Sequence, residues 1–310
     1  AVFVLAISSY YLLQERHMAF AKRSFAIAAG FGLASVLSVI VLGDASGYTI
    51  GEVQRTKLAL IEAEWETQPA PAAFTLFGFP DQDTQTTKYA VRIPYALGII
   101  ATRSVDTPIE GIKEIQAEMV GKMQQGIKAY ALLEKIREGN ATQTIKDQFN
   151  DLKYYLGYGL LLKRYVADPK TATHEQIVYA AEHALPRVAP LFWSFRIMVG
   201  CGFIMLYIFC AAMYYNTKRV VQDKRWFLKL CLWSLPLPWI AAECGWIVAE
   251  YGRQPWVIAE VLPTFLGVSS VSTKTVLTSL IGLVVLYSAL LVVELYLMFK
   301  YARLGPEGQS

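Results

Sequence analysis

The sequence predicts an all-α integral membrane protein: a transmembrane helix bundle with a large, mostly helical extracytoplasmic loop domain that contains a small β-hairpin. Three observations carry this. Hydrophobic residues make up 55% of the 310-residue chain and charged residues only 17%, whereas a soluble domain carries about 25% charge. Apolar runs of the roughly 20 residues needed to cross a bilayer recur along the chain. Between two of them lies a polar stretch, residues 44–188, too long to be a connector.

The chain opens at Ala1 inside an apolar run, AVFVLAISSYYLL. A signal peptide would begin with Met and a basic segment, so the run is read as part of a truncated first span, with its upstream portion missing. Residues 25–43 form a complete span. Residues 189–215 and 227–250 also qualify, with Arg196, Glu243 and Glu250 inside or at the edge of the apolar stretch, and Pro236 and Pro238 predict a kink in the latter. Residues 276–299 form the last span, and Glu294 in it reads as an interhelical contact. The organisation is therefore 1–43, a truncated and a complete span; 44–188, the loop domain; and 189–310, three spans with a cytoplasmic tail.

Orientation follows from basic residues in short loops. Arg16, Lys22 and Arg23 lie in one, Lys218, Arg219, Lys224 and Arg225 in the next, and Lys300 and Arg303 in the tail. Against these nine stand three acidic residues, Glu15, Asp223 and Glu307. All three segments alternate correctly with the spans and fall on the cytoplasmic side. Residues 44–188 and 251–275 then face outside.

Within the loop, residues 52–66 read as helical. AAFTLFGF and KYAVRIPY alternate like hairpin arms around PDQDTQTT. Thr107 and Pro108 form an N-cap and N1 pair, predicting a helix that runs to about Arg137 and stops at Gly139-Asn140. Two more helices are expected near 143–165 and 173–185, the second ended by Pro186.

The chain has 29 basic and 25 acidic residues, too balanced for nucleic acid to be an expected partner; membrane lipid is the expected one. Cys201, Cys210, Cys231 and Cys244 sit in apolar runs without C-x-x-C spacing, which indicates neither zinc nor a disulfide framework.

Ionisable groups in a span cost about 2.5 kcal/mol or more at the bilayer centre. Glu243 and Glu250 are seven residues apart, so they share a helix face about 10 Å apart along the axis. Arg253 follows one short turn later. One reading is an interfacial Glu250–Arg253 salt bridge with Glu243 bonded to a neighbouring helix; the other is a buried carboxylate that handles a ligand or a proton. Met198, two residues from Arg196, is packing material or a thioether ligand of haem iron. Trp246, one turn before Glu250, would wall any pocket there. Lys57 and Glu62 are five apart and do not share a helix face.

Four strings, GWIVAEYGRQPW (245–256), FRIMVGCGF (195–203), KLALIEAEWETQPAPAAFTLFG (57–78) and IPYALGIIATRSVDTP (93–108), resemble subunit I of the cytochrome bd quinol oxidases, in the branch with a long outer loop. The resemblance runs from residue 1 to about 305. It implies a bacterial inner-membrane terminal oxidase that oxidises quinol at the outer, periplasmic face and reduces dioxygen to water, building a proton motive force without pumping. It implies low-spin haem b, high-spin haem b and haem d as cofactors, a subunit II and a small accessory subunit as partners, and quinol and dioxygen as substrates. Met198 matches the axial ligand of the low-spin haem b, with Arg196 beside it. Glu250 matches the ligand of the high-spin haem b and the catalytic carboxylate, with Trp246 and Arg253 in the same motif. Lys57 and Glu62 match quinol-oxidation residues, and Asp44 is a further candidate. The family's histidine ligands would lie upstream of residue 1, since His17, His174 and His183 fall in loops. A transporter or channel component lined by Glu243, Glu250 and Arg196 is the alternative reading of the residues, and a sensor with a ligand-binding loop domain is a third.

Overall fold

The computed structural model describes residues 1–139 and 142–304, without the side chains of 302 and 303. Asn140 of the expected helix stop, and Arg303 and Glu307 of the tail, therefore lie outside what is described. Among the described residues, four helical segments are long and apolar enough to cross a membrane.

The first helices are α1 (Val2–Leu13) and α2 (Met18–Val53). At roughly 1.5 Å per residue, the 36 residues of α2 span about 54 Å. The helix therefore continues well past residue 43 into the loop region. It ends where Gly51 meets α4 (Ala96–Thr102): a Cβ on Gly51 would lie 2.8 Å from the Ala101 carbonyl oxygen. The helix expected over 52–66 is consequently divided. The chain turns at Gln54, α3 covers only Arg55–Glu62, and Ala63 takes a left-handed conformation at φ 54°.

The hairpin forms as predicted from β1 (Phe74–Asp81) and β2 (Thr86–Ile93), paired antiparallel with register shifts. Its turn is tightened by Asp81, whose carboxylate accepts from the Asp83 and Thr84 amides and from Lys88 Nζ at 2.6 Å. α5 starts later than expected, at Ile112, and runs to Arg137. Residues 107–109 stay extended because Gln68 and Ile109 exchange two backbone hydrogen bonds of 2.9 and 3.1 Å. Those bonds outweigh the local Thr-Pro capping signal. α6 (Gln143–Leu152), α7 (Leu156–Leu161) and α8 (His174–Ala184) complete the loop region. Thr173 and Gln176 form a capping box at the start of α8.

α9 (Val188–Thr217) is the next long helix. α10 (Arg225–Trp233) and α11 (Leu237–Glu250) are separated at Ser234–Pro236, the expected prolyl interruption. A short second hairpin, β3 (Trp256–Ile258) with β4 (Leu262–Pro263), follows α11 and was not legible in the sequence. α12 (Thr273–Leu304) belongs to a separate compact unit, residues 268–310, and is a continuous apolar helix in its own right.

Within residues 1–267, α1, α2, α9 and α10 share one core around Phe25, Phe209 and Phe227. Gly32 allows α2 and α9 to cross closely, since a Cβ there would enter the Phe209 ring at 2.0 Å. The two basic connections meet at one end of this bundle: Arg225 donates to the Leu13 carbonyl at 3.4 Å and pairs with Glu15 at 3.8 Å. The loop region gathers at the other end on its own cores. One joins α5, α7 and α8 with Trp256; another joins α3, the start of α5 and the first turns of α9.

Candidate functional site

The residues expected to carry chemistry converge where the loop region meets the upper turns of α9 and α11, and α3 is the element that joins them. Its five-residue spacing sends Lys57 and Glu62 in different directions, as the helical geometry requires.

Lys57 points to α11. Its Nζ donates to the Ala249 carbonyl at 3.3 Å, and the residue is 7% exposed. Glu250 and Arg253 are hydrogen-bonded to each other beside it. Burial, reinforced by Arg253 and opposed by Glu250, holds the Lys57 ammonium below its usual pKa. Gly252 makes this approach possible, because a Cβ there would lie 2.5 Å from the Val248 carbonyl oxygen and 3.3 Å from Lys57 Cε. Lys57 also lines a cavity of about 360 Å³, with Arg55, Glu110, Arg253 and Tyr158. On one wall the Tyr158 hydroxyl donates to Glu260 at 2.8 Å and Lys122 donates to the same oxygen at 3.2 Å. Burial and Glu260 both raise the Tyr158 pKa, keeping the phenol protonated.

Glu62 points to α9. Its carboxylate accepts from Arg196 Nη2 at 2.9 Å, both side chains being almost fully buried. Arg196 also donates to the carbonyls of Thr75 (2.9 and 2.5 Å), Ile61 (2.8 Å) and Phe192 (3.2 Å). All five of its N–H groups are thereby used, and its guanidinium lies 3.4 Å over the Phe192 ring. The arginine pins α3 and β1 to the first turns of α9. The hairpin is held there as well by Phe77 and Phe79 against Trp193, and by Gln82, which accepts from the Val188 amide at 3.1 Å.

Met198 lies two residues beyond Arg196, with its sulfur toward α11: a Cβ on Gly245 would be 3.1 Å from Sδ. Trp246 is 64% exposed. With Glu250, Ile247, Tyr251 and Pro190 it lines an open, largely apolar cleft of about 600 Å³. Asp44 joins neither group; it pairs with Arg103 at 2.5 Å at the side of α2. The histidines lie elsewhere: His17 packs edge-on to Tyr11, His174 starts α8, and His183 stacks on Tyr179.

One buried group went unnoticed in the sequence. Glu64 is 4% exposed, and among the described residues its Oε1 is the one buried side-chain oxygen or nitrogen without a hydrogen-bond partner. Burial, opposed by Arg92 and reinforced by Glu62, pushes its pKa up to about 7. The available signal is a second acidic residue, two positions after Glu62, in the otherwise apolar string LALIEAEW.

The donor chemistry suits a porphyrin-bound iron. Among the described residues no three His, Cys, Asp or Glu side chains cluster as a metal cage. The Met198 thioether beside Gly245 is a donor type that haem iron takes, and the Glu250 carboxylate at the edge of an open, largely apolar cleft is an oxygen donor that a bound group could meet.

Residues 1–306 match the family described as cytochrome bd terminal oxidase subunit I. The chain is 46% identical over all 310 residues to the Escherichia coli (strain K12) cytochrome bd-II ubiquinol oxidase subunit 1, covering 60% of that protein. It is 27% identical over 308 residues, 99% of the chain, to the Bacillus subtilis (strain 168) cytochrome bd ubiquinol oxidase subunit 1, covering 54%. It is 23% identical over 311 residues, again 99% of the chain, to a putative menaquinol oxidase subunit I from the same strain, covering 55%. The chain thus spans about half to three-fifths of the length of these relatives. With a family match over nearly its whole length, this multi-pass membrane chain belongs to the cytochrome bd terminal oxidase subunit I family.

Proposed function

We propose that this chain is part of subunit I of a bacterial inner-membrane quinol oxidase, in which residues 44–188 lie on the periplasmic side and bind quinol while α9 and α11 hold haem. The observation that carries the reading is α3, which brings Lys57 to the Glu250 end of α11 and Glu62 to the Arg196 turn of α9. A quinol-handling loop and two haem-ligand helices are thereby packed as one structure.

In this reading Met198 offers its thioether to the low-spin haem b and Glu250 its carboxylate to the high-spin haem b, with haem d in the same assembly. When bound, the haems carry electrons from quinol to dioxygen and supply the centre at which dioxygen is reduced to water. Trp246 walls the cleft and Arg253 orients the Glu250 carboxylate. Arg196 contributes by fixing the turn that carries Met198, its own donors being fully engaged by the loop. Lys57 and Glu62 bind the quinol, Glu62 receiving its protons, and Asp44 with Arg103 sits at the margin of the loop region. Quinol protons leave on the loop side, and protons for water enter from the side of the basic connections. This arrangement builds a proton motive force without a pump. A subunit II and a small accessory subunit complete the enzyme.

The test is a reduced-minus-oxidised absorption spectrum of membranes containing the full-length protein with its partner subunit. We expect b- and d-type bands, with Met198→Leu altering the low-spin b band and Glu250→Ala removing the high-spin b band and the activity. A flat spectrum from correctly inserted protein overturns the oxidase reading and reopens the channel or transporter reading.

A further inference from the structure

Behind the Glu62–Arg196 pair stands a carboxyl group for which the proposed reaction has so far no use. Ala63, in the left-handed region at φ 54°, turns the chain at the end of α3 so that Glu62, Ala63, Glu64 and Trp65 are all buried. Two carboxyl groups, Glu62 2% and Glu64 4% exposed, thus enter one protein interior. The charged groups facing Glu64 are Glu62 on α3, Arg196 on α9 and Arg92 on β2. From the start of α5, Lys113 is committed to Glu66 at 2.6 Å.

Arg196 has no donor left for Glu64, its five N–H groups being used by Glu62 and three carbonyls. Arg92 is exposed and donates no hydrogen bond to Glu64 among the described residues. A buried charge without a donor is among the most unfavourable states a side chain adopts, and a carboxyl so placed takes up a proton instead. One buried guanidinium therefore balances one carboxylate, and the second carboxyl is neutral.

We propose that Glu62 and Glu64 share a single proton over Arg196, held on Glu64 at rest, and that this pair hands quinol protons outward. The hand-off rests on the reading of Glu62 as a quinol-side carboxylate. As quinol is oxidised, its hydroxyl O–H bond breaks. The electron passes to the oxidase's haems, and the proton forms an O–H bond on Glu62. Neutral Glu62 no longer repels charge on Glu64 and no longer occupies the positive field of Arg196. The Glu64 O–H bond then breaks, and its proton leaves to water on the β2 side, where Arg92 is exposed. Transfer of the proton back from Glu62 to Glu64 resets the pair. One proton enters and one leaves: the interior is neutral at rest, carries the positive charge of Arg196 while both carboxyls are protonated, and is neutral again once Glu64 has released its proton, and that transient charge is what expels the Glu64 proton. Glu64 is a positioning and relay group in this scheme, since it does not touch the quinol.

The experiment uses the complete oxidase with its partner subunit and a short-chain ubiquinol as substrate. Infrared difference spectra across a pH titration read the proton directly. The wild type shows a protonated-carboxyl carbonyl band at neutral pH that disappears in Glu64→Gln and shifts in Glu62→Gln. Steady-state kinetics read the relay: in Glu64→Gln, kcat at neutral pH falls about a hundredfold with KM and haem bands unchanged, and Glu64→Asp recovers most of it. A carboxyl band that persists in Glu64→Gln overturns the shared proton. An unchanged kcat in that variant overturns the relay. A wild-type enzyme that shows the band but oxidises no quinol overturns the functional reading and the relay together, while the shared proton stands.

Discussion

Arg196 is the side chain whose removal should be felt furthest from its own helix. Replacing it by leucine in the complete enzyme removes a buried ion pair with Glu62 at 2.9 Å and the hydrogen bonds to Thr75, Ile61 and Phe192. Breaking a buried pair by deleting one partner costs about 3–5 kcal/mol, because the remaining charge is left uncompensated. The freed carbonyls add to that, at about 1 kcal/mol each where water does not replace the donor. Glu62 can soften the loss by taking up a proton, so the ion-pair range is the figure to use. The strain falls on the docking of β1 and β2 against α9, since Arg196 reaches Thr75 in β1 directly. At about 1.36 kcal/mol per tenfold change, 3–5 kcal/mol is roughly two to three and a half orders of magnitude in the local opening equilibrium. Hydrogen exchange read by mass spectrometry should therefore show the amides of 74–93 exchanging faster by that factor, while α5 amides change little. Adding Glu62→Gln to Arg196→Leu should restore part of the protection, because it removes the stranded charge. Unchanged hairpin exchange in Arg196→Leu would refute the claim that this arginine clamps the loop to the bundle.

Three further outcomes follow from the same geometry. The docked hairpin should weaken as pH rises. Glu64 titrates near 7 when folded against 4.5 when free, so the folded state binds more protons across that interval. Docking is strongest below about pH 4.5, and the Glu64 contribution loses about 3 kcal/mol by the time pH has risen through 7; hydrogen exchange of 74–93 against pH measures this, and Glu64→Gln should reduce the slope and leave the part due to Glu62, whose pKa burial also raises to about 7. Gly252→Ala places a methyl 2.5 Å from the Val248 carbonyl and 3.3 Å from Lys57 Cε, so it should raise KM for quinol by at least about tenfold with haem content preserved, as steady-state assays with parallel spectra would show. Gly159→Val drives a side chain into α5, where even a Cβ would sit 2.3 Å from the Gly126 carbonyl oxygen. The resulting overpacking should cost about 1–3 kcal/mol and lower the temperature at which the loop region becomes protease-sensitive.

What was legible in the sequence was what a local pattern determines. The spans are set by apolar runs against lipid, the hairpin by alternation around a polar turn, and the α10–α11 break by Pro236 and Pro238. Thr107-Pro108 misled because a local cap was weighed against nothing, whereas the folded chain offers Gln68 as a strand partner to Ile109. Gly111 then takes the cap position with the 66–67 backbone so close that a Cβ would lie 2.3 Å from the Glu66 carbonyl carbon. The candidate residues were found individually, but their grouping was not. Lys57 with Ala249 is separated by 192 positions and Arg196 with Thr75 by 121, and no periodicity reports such pairings. Glu64 is illegible in the sequence for the same reason, since its importance lies in the donor it lacks, which only the packed structure reveals.

The position of α3 gives these separate contacts a common logic. Its eight residues are too few to be stable as an isolated helix. Tertiary contacts hold it instead, and its two decisive ones lie at opposite ends: Lys57 on the last turn of α11 and Glu62 on the first turns of α9. Five residues of helix separate them by about 7.5 Å. In the proposed function, a quinol that draws on Lys57 or neutralises Glu62 acts on a side-chain bond that seats α3 against the proposed ligand helices. The electrostatics point the same way. Lys57 answers to Glu250 and Arg253, and Glu62 answers to Arg196 beside Met198, so each proposed quinol-handling group is paired with the immediate surroundings of one proposed iron ligand. Protonation in the loop and charge at the proposed haem-ligand helices are therefore linked through direct hydrogen bonds, and a short marginal helix is the element best suited to register a change in either.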